Sequence, residues 1–230
     1  MNTPPAAASY RPHDLLWLED AASLIFSGAP PPWATPAWLA VAPVVVRRAM
    51  LADTGQVPVG LRGATRSERC AAQVVCAQVM RVATPEMIAS RVTTGDLVRG
   101  SALPCLQTLA RLAPALDALP LAWGVTGSVG FSLASGFDVL RTDSDLDLIV
   151  RAPLASDADV LRAVAGLLRD SEARVDVQVE TPFGAFALRE WVRTGGAVLL
   201  KTNRGPLLTD DAWSRPDAVC FDALCGQTRA

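Results

Sequence analysis

The chain has 230 residues and a mass of 24.3 kDa, a length that fits one large domain or two small ones. Half of the residues are apolar and 19% are charged, which excludes an intrinsically disordered chain. The 21 basic and 23 acidic side chains nearly balance, so the chain lacks the broad basic surface of a nucleic-acid-binding protein. Any polyanion that it binds must therefore be held at a local site.

The mean hydropathy of +0.27 raises the question of a membrane protein. The longest apolar segment, Ala37–Val46, is interrupted by Pro43 and is far shorter than the roughly 20 residues that a membrane span needs. The first residues lack the charged and apolar regions of a secretory signal. Five cysteines, an odd and widely spaced set, are typical of reduced thiols. We therefore expect a cytoplasmic protein that binds neither membranes nor nucleic acids.

Extended and turn-forming segments dominate the first part of the chain. Arg11–Asp20 is predicted to be extended. Pro43–Arg48 and Gln56–Leu61 are β-type runs that a glycine-containing turn at residues 53–55 would join as a hairpin. Apolar residues then recur at helical spacing over Ser67–Val82, where the serine is a good N-cap, so we predict a helix there. Together these elements predict a small N-terminal α/β module.

The stretch from Thr93 to Pro104 combines glycine, threonine and proline without a clear period, so we predict a domain boundary there. One module would cover residues 1–95 and contact the substrate or a partner, and the other would cover residues 96–230 and carry the catalytic site. The second module has helices predicted at Leu106–Leu119, Val129–Ala134 and Asp157–Leu168, and strands predicted at Leu121–Thr126, Thr142–Val150, Arg174–Glu180 and Ala197–Lys201. We therefore expect an α+β (mixed α/β) protein, in which a mixed sheet flanked by helices follows the N-terminal module.

Two aspartates on the most strongly alternating strand are the first candidates for chemistry. Asp145 and Asp147 are two residues apart, so they project from the same face of a strand. Carboxylates that face one point repel each other unless a cation lies between them, and magnesium prefers such oxygen ligands. Asp176 lies on the polar face of the next predicted strand, beyond a crossover helix, and is our choice for a third ligand, with Glu180 as the alternate. The pattern predicts a magnesium site, with manganese as the second choice.

Several other groups are candidates for binding phosphate. Gly127 and Ser128 follow a strand and precede a helical turn, where backbone amides and a hydroxyl can hold phosphate oxygens. Lys201, the only lysine, could neutralise a leaving group or could simply be a charge at the end of a strand. Three arginines that follow glycines could bind phosphates or an acidic partner, or could form a solvated helix start: Arg62, Arg66 and Arg69.

The Gly-Ser element, the Asp-x-Asp strand and the later acidic strand together resemble the polymerase-β-like nucleotidyltransferase superfamily over about Leu106–Lys201. Further segments extend the likeness over most of the chain: RPHDLLWL (Arg11–Leu18), PVVVRRA (Pro43–Ala49), PVGLRG (Pro58–Gly63), GSVGFSLASG (Gly127–Gly136), SDLDLIV (Ser144–Val150), VDVQVETP (Val175–Pro182) and LLKT (Leu199–Thr202). With these segments the chain resembles the malonate decarboxylase holo-acyl-carrier-protein synthases, the phosphoribosyl-dephospho-CoA transferases.

That resemblance implies a nucleotidyltransferase with a mixed sheet of the superfamily's kind. The enzyme would attach a 2'-(5''-phosphoribosyl)-3'-dephospho-CoA group to a serine of the acyl-carrier subunit of malonate decarboxylase. The donor would be 2'-(5''-triphosphoribosyl)-3'-dephospho-CoA, and diphosphate would leave. A pair of aspartates is essential in the family, and the resemblance implies that Asp145 and Asp147 are this pair. From position, we assign Asp176 to a second metal ion or to the serine's proton, Ser128 to the triphosphate, and Lys201 to the leaving group.

Two other functions stay open on the sequence alone. The chain could be a nucleotidyltransferase that uses ATP or another NTP to modify a different protein or a small molecule. It could also be a non-catalytic assembly factor that binds the carrier, although the intact Asp-x-Asp pattern argues against this. His13, the only histidine, is interpreted as part of a structural turn rather than as a general base.

Overall fold

Two β-sheets organise the protein, which we describe from a computed structural model of residues 10–50, 55–65, 67–95, 98 and 100–216. The first sheet contains β1 (Leu15–Leu18), β2 (Leu24–Ile25), β3 (Val44–Val46), β4 (Gln56–Arg62), β5 (Arg69–Val75) and β6 (Val79–Ala83), and helix α1 (Pro36–Leu39) lies between β2 and β3. The strand order is β2-β5-β4-β3-β1-β6. All pairs in this sheet are antiparallel.

The second sheet contains β7 (Trp123–Val125), β8 (Leu146–Arg151), β9 (Val175–Thr181), β10 (Gly184–Ala187), β11 (Val198–Thr202) and β12 (Gly205–Thr209), in the order β12-β11-β10-β9-β8-β7. The remaining helices are α2 (Pro85–Thr94), α3 (Pro104–Asp117), α4 (Gly127–Ser135), α5 (Ala158–Leu167) and α6 (Leu188–Thr194). Only β8 and β9 run parallel among these strands. This confirms the α+β class. No helix within the described ranges has both the length and the apolar character needed to cross a bilayer.

The parallel pairing of β8 and β9 depends on the crossover helix between them. A parallel pair cannot be joined by a tight turn, and the amphipathic segment that the sequence predicts at Asp157–Leu168 supplies the connection as α5. Leu161 and Val164 of this helix are buried in the core of the second sheet. The register sets Asp147 directly opposite Asp176. The prediction that these two strands are neighbours is confirmed.

The predicted helix over Ser67–Val82 is wrong. This segment forms β5 and β6, separated by a single 3-10 turn at Cys76–Gln78. In β5, Ala72 and Val74 are buried whereas their sequence neighbours are more exposed, which is the two-residue period of a strand. The alanines and valines of this segment fit the period of a helix as well as the two-residue period of a strand when only the local sequence is considered. Hydrogen bonding to β4 along the full length of β5 selects the strand.

The predicted hairpin is confirmed where the structure describes it. Val45 of β3 pairs with Gly60 of β4 in an antiparallel register. Residues 51–54, which connect the two strands, lie outside the described residues, and so does the candidate phosphate-binding residue Arg66.

The second sheet has one apolar face and one largely polar face. Leu146, Leu148 and Val150 of β8 are at most 1% exposed and pack in a core with the helices. Because side chains alternate along a strand, the intervening residues project to the opposite face. That face carries the polar side chains of both parallel strands: Asp147, Arg151, Asp176, Gln178 and Glu180. These side chains face the first sheet.

One hydrophobic core joins the two predicted modules. Leu15 and Trp17 of β1 belong to the same buried cluster as α2 and the second sheet. Gly124 of β7 permits this close packing, because a Cβ atom at that position would lie 2.4 Å from Cβ of Pro85. Helix α2 therefore packs with the second sheet, although it precedes residue 95. The division of the chain near residue 95 stays a prediction.

Candidate active site

A cleft of about 1210 Å³ lies between the two sheets. Residues from β3, β4 and β5 form one wall, and residues from the polar face of the second sheet form the other. The structure brings six of the predicted site residues to this cleft: Arg62, Arg69, Gly127, Asp147, Asp176 and Lys201. Asp145 and Ser128, both of which the structure describes, are not among the lining residues. Sequence positions more than 100 residues apart therefore meet at one site.

Asp147 and Asp176 form the acidic centre of the cleft. They are register partners on adjacent parallel strands, whose backbones are about 4.8 Å apart, and their side chains share a face. The strand predicted at Thr142–Val150 begins only at Leu146, so Asp145 lies just before β8 rather than on it, and it is partly exposed. Within the described ranges, no three His, Cys, Asp or Glu side chains are grouped as a metal site by themselves. A pair of carboxylates nevertheless fits magnesium, which commonly takes one or two carboxylates and completes its shell with water and substrate phosphates.

Gly127 has a structural role that the sequence pattern did not reveal. It begins α4 with a φ of +61°, and a Cβ atom at this position would lie 1.9 Å from Oδ2 of Asp147. The preceding residue, Thr126, donates its backbone N–H to the carbonyl of Asp147 at 2.9 Å. The absence of a side chain at residue 127 therefore lets the start of α4 approach the Asp147 carboxylate. Ser128 is half-buried in the first turn of the same helix.

Asp176 has a charged partner within the described residues. Nη2 of Arg174 lies 2.8 Å from Oδ2 of Asp176, and both side chains are substantially exposed, at 63% and 39%. Solvent screens such a pair, so it contributes little to stability. It does hold a guanidinium at the edge of the acidic centre.

Basic side chains dominate the rest of the cleft. Among the described residues, its lining contains seven of them and two acidic ones, Asp147 and Asp176; the basic set is Arg47, Arg48, Arg62, Arg69, Arg174, Arg189 and Lys201. Arg62 and Arg69 are direct cross-strand partners, so two of these positive charges lie side by side. A chain with a net charge of −2 thus concentrates positive charge at one site. Sequence reasoning missed the other four: Arg47, Arg48, Arg174 and Arg189, whose only signal was their position beside apolar or alternating runs.

A buried ionic network connects the two sheets next to the cleft. Arg48 donates to both carboxylate oxygens of Glu180, and the side chains are only 16% and 9% exposed. Arg151 lies 3.7 Å from Glu180 and donates from Nε to Glu86 at 2.8 Å. Burial acts to raise the pKa of Glu86, but the hydrogen bond from Arg151 and its charge outweigh burial and lower that pKa. Glu180, our alternate third metal ligand, therefore holds the sheets together.

Replacing Glu180 by glutamine should lower the free energy of unfolding by about 2 kcal/mol, because a buried charged partner is lost and the Arg48 guanidinium remains in place. Thermal and urea denaturation would measure this. Asp159→Asn is the matched control: Asp159 is 93% exposed in its pair with Arg162, so no measurable change is expected. Equal stability of Glu180→Gln and the native chain would show that the network does not stabilise the packing of the sheets.

Comparison with known proteins identifies the family. Residues 91–212 match the family model described as the phosphoribosyl-dephospho-CoA transferase MdcG C-terminal domain, and residues 11–85 match the corresponding N-terminal domain. The chain is 42% identical over 211 residues to a phosphoribosyl-dephospho-CoA transferase of Klebsiella pneumoniae, covering 92% of this chain and 100% of that protein. A protein of the same name from Pseudomonas syringae pv. tomato is 44% identical over 202 residues, covering 88% of this chain and 92% of the relative.

No solved structure matches the chain. A third relative, from Pseudomonas putida strain GB-1, carries the same name and is 42% identical over 207 residues, which cover 89% of this chain and 95% of that protein. The two family models and the three relatives all carry the name phosphoribosyl-dephospho-CoA transferase. The chain belongs to the phosphoribosyl-dephospho-CoA transferase family and is a transferase enzyme.

Proposed function

We propose that the chain transfers 2'-(5''-phosphoribosyl)-3'-dephospho-CoA from its 5''-triphosphoribosyl precursor to a serine of the apo acyl-carrier subunit of malonate decarboxylase. The main support is the cleft, in which two register-paired aspartates face a set of seven basic side chains. A donor with a triphosphate needs this combination, since its negative charge must be both bound and neutralised. The family name supports the donor, and the sequence resemblance supports the acceptor.

The proposed reaction is a displacement at the α-phosphorus of the donor's triphosphate. The serine oxygen forms a bond to this phosphorus, the bond to the oxygen bridging the α- and β-phosphates breaks, and diphosphate leaves with the electron pair. The serine proton passes to a base, for which Asp176 is our candidate because it lies beside Asp147 in the cleft. The second half of the chain would then be a member of the polymerase-β-like nucleotidyltransferase superfamily.

Asp147 would hold magnesium, with manganese as the second choice, together with Asp145 from its position just before β8, and Asp176 would either bind a second ion or accept the serine proton. When bound, the metal would neutralise charge on the triphosphate and on the departing diphosphate. Arg62 and Lys201 would bind phosphate oxygens from opposite walls of the cleft. Lys201 is exposed and has no hydrogen bond or ion pair within the described part of the chain, so its ammonium is available to the leaving group.

The decisive experiment mixes the protein with apo carrier, triphosphoribosyl-dephospho-CoA and magnesium, and weighs the carrier by mass spectrometry. We expect a gain equal to the phosphoribosyl-dephospho-CoA group, with one diphosphate released per carrier. A carrier whose acceptor serine is replaced by alanine is the control and should gain nothing. An unchanged mass of the native carrier would overturn the proposal.

Two further measurements in the same experiment distinguish the proposed function from the two alternatives. Replacing the donor by ATP tests for an NTP-dependent nucleotidyltransferase, and a carrier labelled by ATP alone would favour that activity over ours. Measuring carrier binding without donor tests for an assembly factor. Tight carrier binding with neither mass gain nor diphosphate release would favour the assembly factor.

A further inference from the structure

His13 occupies an unusual position at the edge of the cleft. It lines the cleft just before β1, and its φ of +77° makes it the one non-glycine residue of the described ranges with a left-handed backbone. Residues other than glycine rarely adopt this backbone conformation, and those that do so cluster at functional sites. Its backbone N–H donates to the carbonyl of Val46 at 2.9 Å, so β3 holds the residue in place.

The hydrogen bonds of Gln178 determine which ring nitrogen of His13 carries the proton. Nε2 of Gln178 lies 2.9 Å from Oε1 of Glu180 and 2.8 Å from Nε2 of His13. A carboxylate only accepts hydrogen bonds, so the amide must direct its NH₂ group toward Glu180. The second N–H of that group then points to His13, whose Nε2 must accept it. The proton of a neutral His13 ring is therefore on Nδ1.

The surroundings keep this ring uncharged. Burial lowers the pKa of His13 to about 4; Glu180 acts in the opposite direction, while Arg48, Arg151 and Lys201 lower the pKa further. Nδ1 makes no hydrogen bond within the described residues, and it is not one of the buried polar atoms that lack a partner there. The Nδ1–H group is therefore accessible from the cleft.

We propose that His13 binds a phosphate oxygen of the donor's triphosphate through Nδ1–H, as a neutral hydrogen-bond donor held in position by Gln178. This inference rests on the proposed function. An anion is the expected ligand because Arg47 and Lys201, which also line the cleft, have no ion-pair partner within the part of the chain that the structure describes. The geometry also excludes His13 as the base for the serine, since Nε2 is already occupied and Nδ1 already carries a proton.

The tautomer can be measured directly, because His13 is the only histidine in the chain. After ¹⁵N labelling of histidine, NMR of the full chain should show a single ring with protonated Nδ1 and unprotonated Nε2. Both signals should stay unchanged between about pH 6 and 8. Gln178→Leu removes the donor to Nε2 and should abolish the strict tautomer preference. A protonated Nε2, or a ring that titrates near the ordinary pKa of histidine, would overturn the proposal.

Two substitutions that both tolerate the left-handed backbone test binding. Asparagine carries an amide nitrogen the same number of bonds from Cα as Nδ1, whereas glycine has no donor. With magnesium present, His13→Asn should bind the donor and inorganic triphosphate with near-native affinity. His13→Gly should bind both about tenfold more weakly or worse. Dephospho-CoA, which has no triphosphate, should bind equally to both variants.

The results of these binding experiments distinguish a failure of the role assigned to His13 from a failure of the proposed function. Equal triphosphate affinity of His13→Gly and His13→Asn would show that the residue serves only the backbone turn. Weaker binding of dephospho-CoA with unchanged triphosphate binding would place His13 at another part of the donor. Either result overturns the inference even when the native enzyme modifies the carrier. If the native chain fails to modify the carrier but the triphosphate pattern holds, the function fails and the role of His13 stands.

Discussion

Replacing Asp147 by asparagine should reduce the rate of carrier modification by at least about 10²-fold, the scale seen when one electrostatic group is removed from a transition state. Asparagine keeps the shape of the side chain but loses the charge that would hold a metal ion opposite Asp176. The same loss is expected for Asp145→Asn, because the resemblance makes these two aspartates a pair. The measurement is the initial rate of the mass gain of the carrier.

Asp143→Asn is the matched control, since Asp143 is an exposed acid two residues before Asp145 in the same loop. It should modify the carrier at the native rate. All three variants should keep the circular dichroism spectrum and melting temperature of the native chain, because these residues are at least partly exposed. A native rate for Asp147→Asn would remove Asp147 from the reaction and with it the proposed metal site.

Replacing Gly127 by alanine should impair catalysis although residue 127 has no functional side chain. The new Cβ would lie 1.9 Å from Oδ2 of Asp147, so the carboxylate or the start of α4 must move. Misplacing a reacting group by about 1 Å can cost about 10² in rate, and we expect a loss of this size. The positive φ of +61° adds a separate cost of about 1–2 kcal/mol in stability, because an L residue is strained there.

Gly136→Ala separates these two effects. Gly136 has a similar φ of +79° at the end of α4, but nothing lies within 4 Å of a Cβ atom built there. Both variants should therefore lose the stability that backbone strain costs, with a further loss for Gly127→Ala from the displaced carboxylate, whereas only Gly127→Ala should lose activity at a temperature where both are folded. Equal rates for the two variants would contradict the argument that Gly127 positions Asp147.

The second half of the chain follows local patterns closely. The amphipathic segment that forms α5 and the alternating segments that form β8 and β9 each contain their own period, so their structure is predictable without the rest of the chain. The segment at Ser67–Val82 has no such single period. Its small and β-branched residues fit a helix and a strand, and the choice is made by β4, a neighbour that no local window contains.

The features of the candidate site also fall into two groups: those that local sequence patterns predict and those that depend on the packing of distant elements. The paired aspartates are a local feature, and the crossover unit predicts the neighbour that places Asp176 beside Asp147. The contact of Gly127 with Asp147 joins residues 20 positions apart and depends on how α4 begins. The pairing of Arg48 with Glu180 and of His13 with Gln178 depends on the packing of one sheet on the other. Sequence periodicity carries no information about such packing, because it describes one element at a time.

Composition alone determined that this chain is folded and near neutral, and that any polyanion must be bound at a local site. Spacing alone predicted two aspartates on one strand and a third on its neighbour, and this is confirmed for Asp147 and Asp176, whereas Asp145 lies just before β8. Only the tertiary structure decided that seven of the basic side chains meet Asp147 and Asp176 in one cleft. The physical reason is that these basic residues lie on segments far apart in the sequence. Hydrophobic packing of the two sheets brings those segments together, and the burial of apolar surface in the folded core offsets the conformational entropy that is lost.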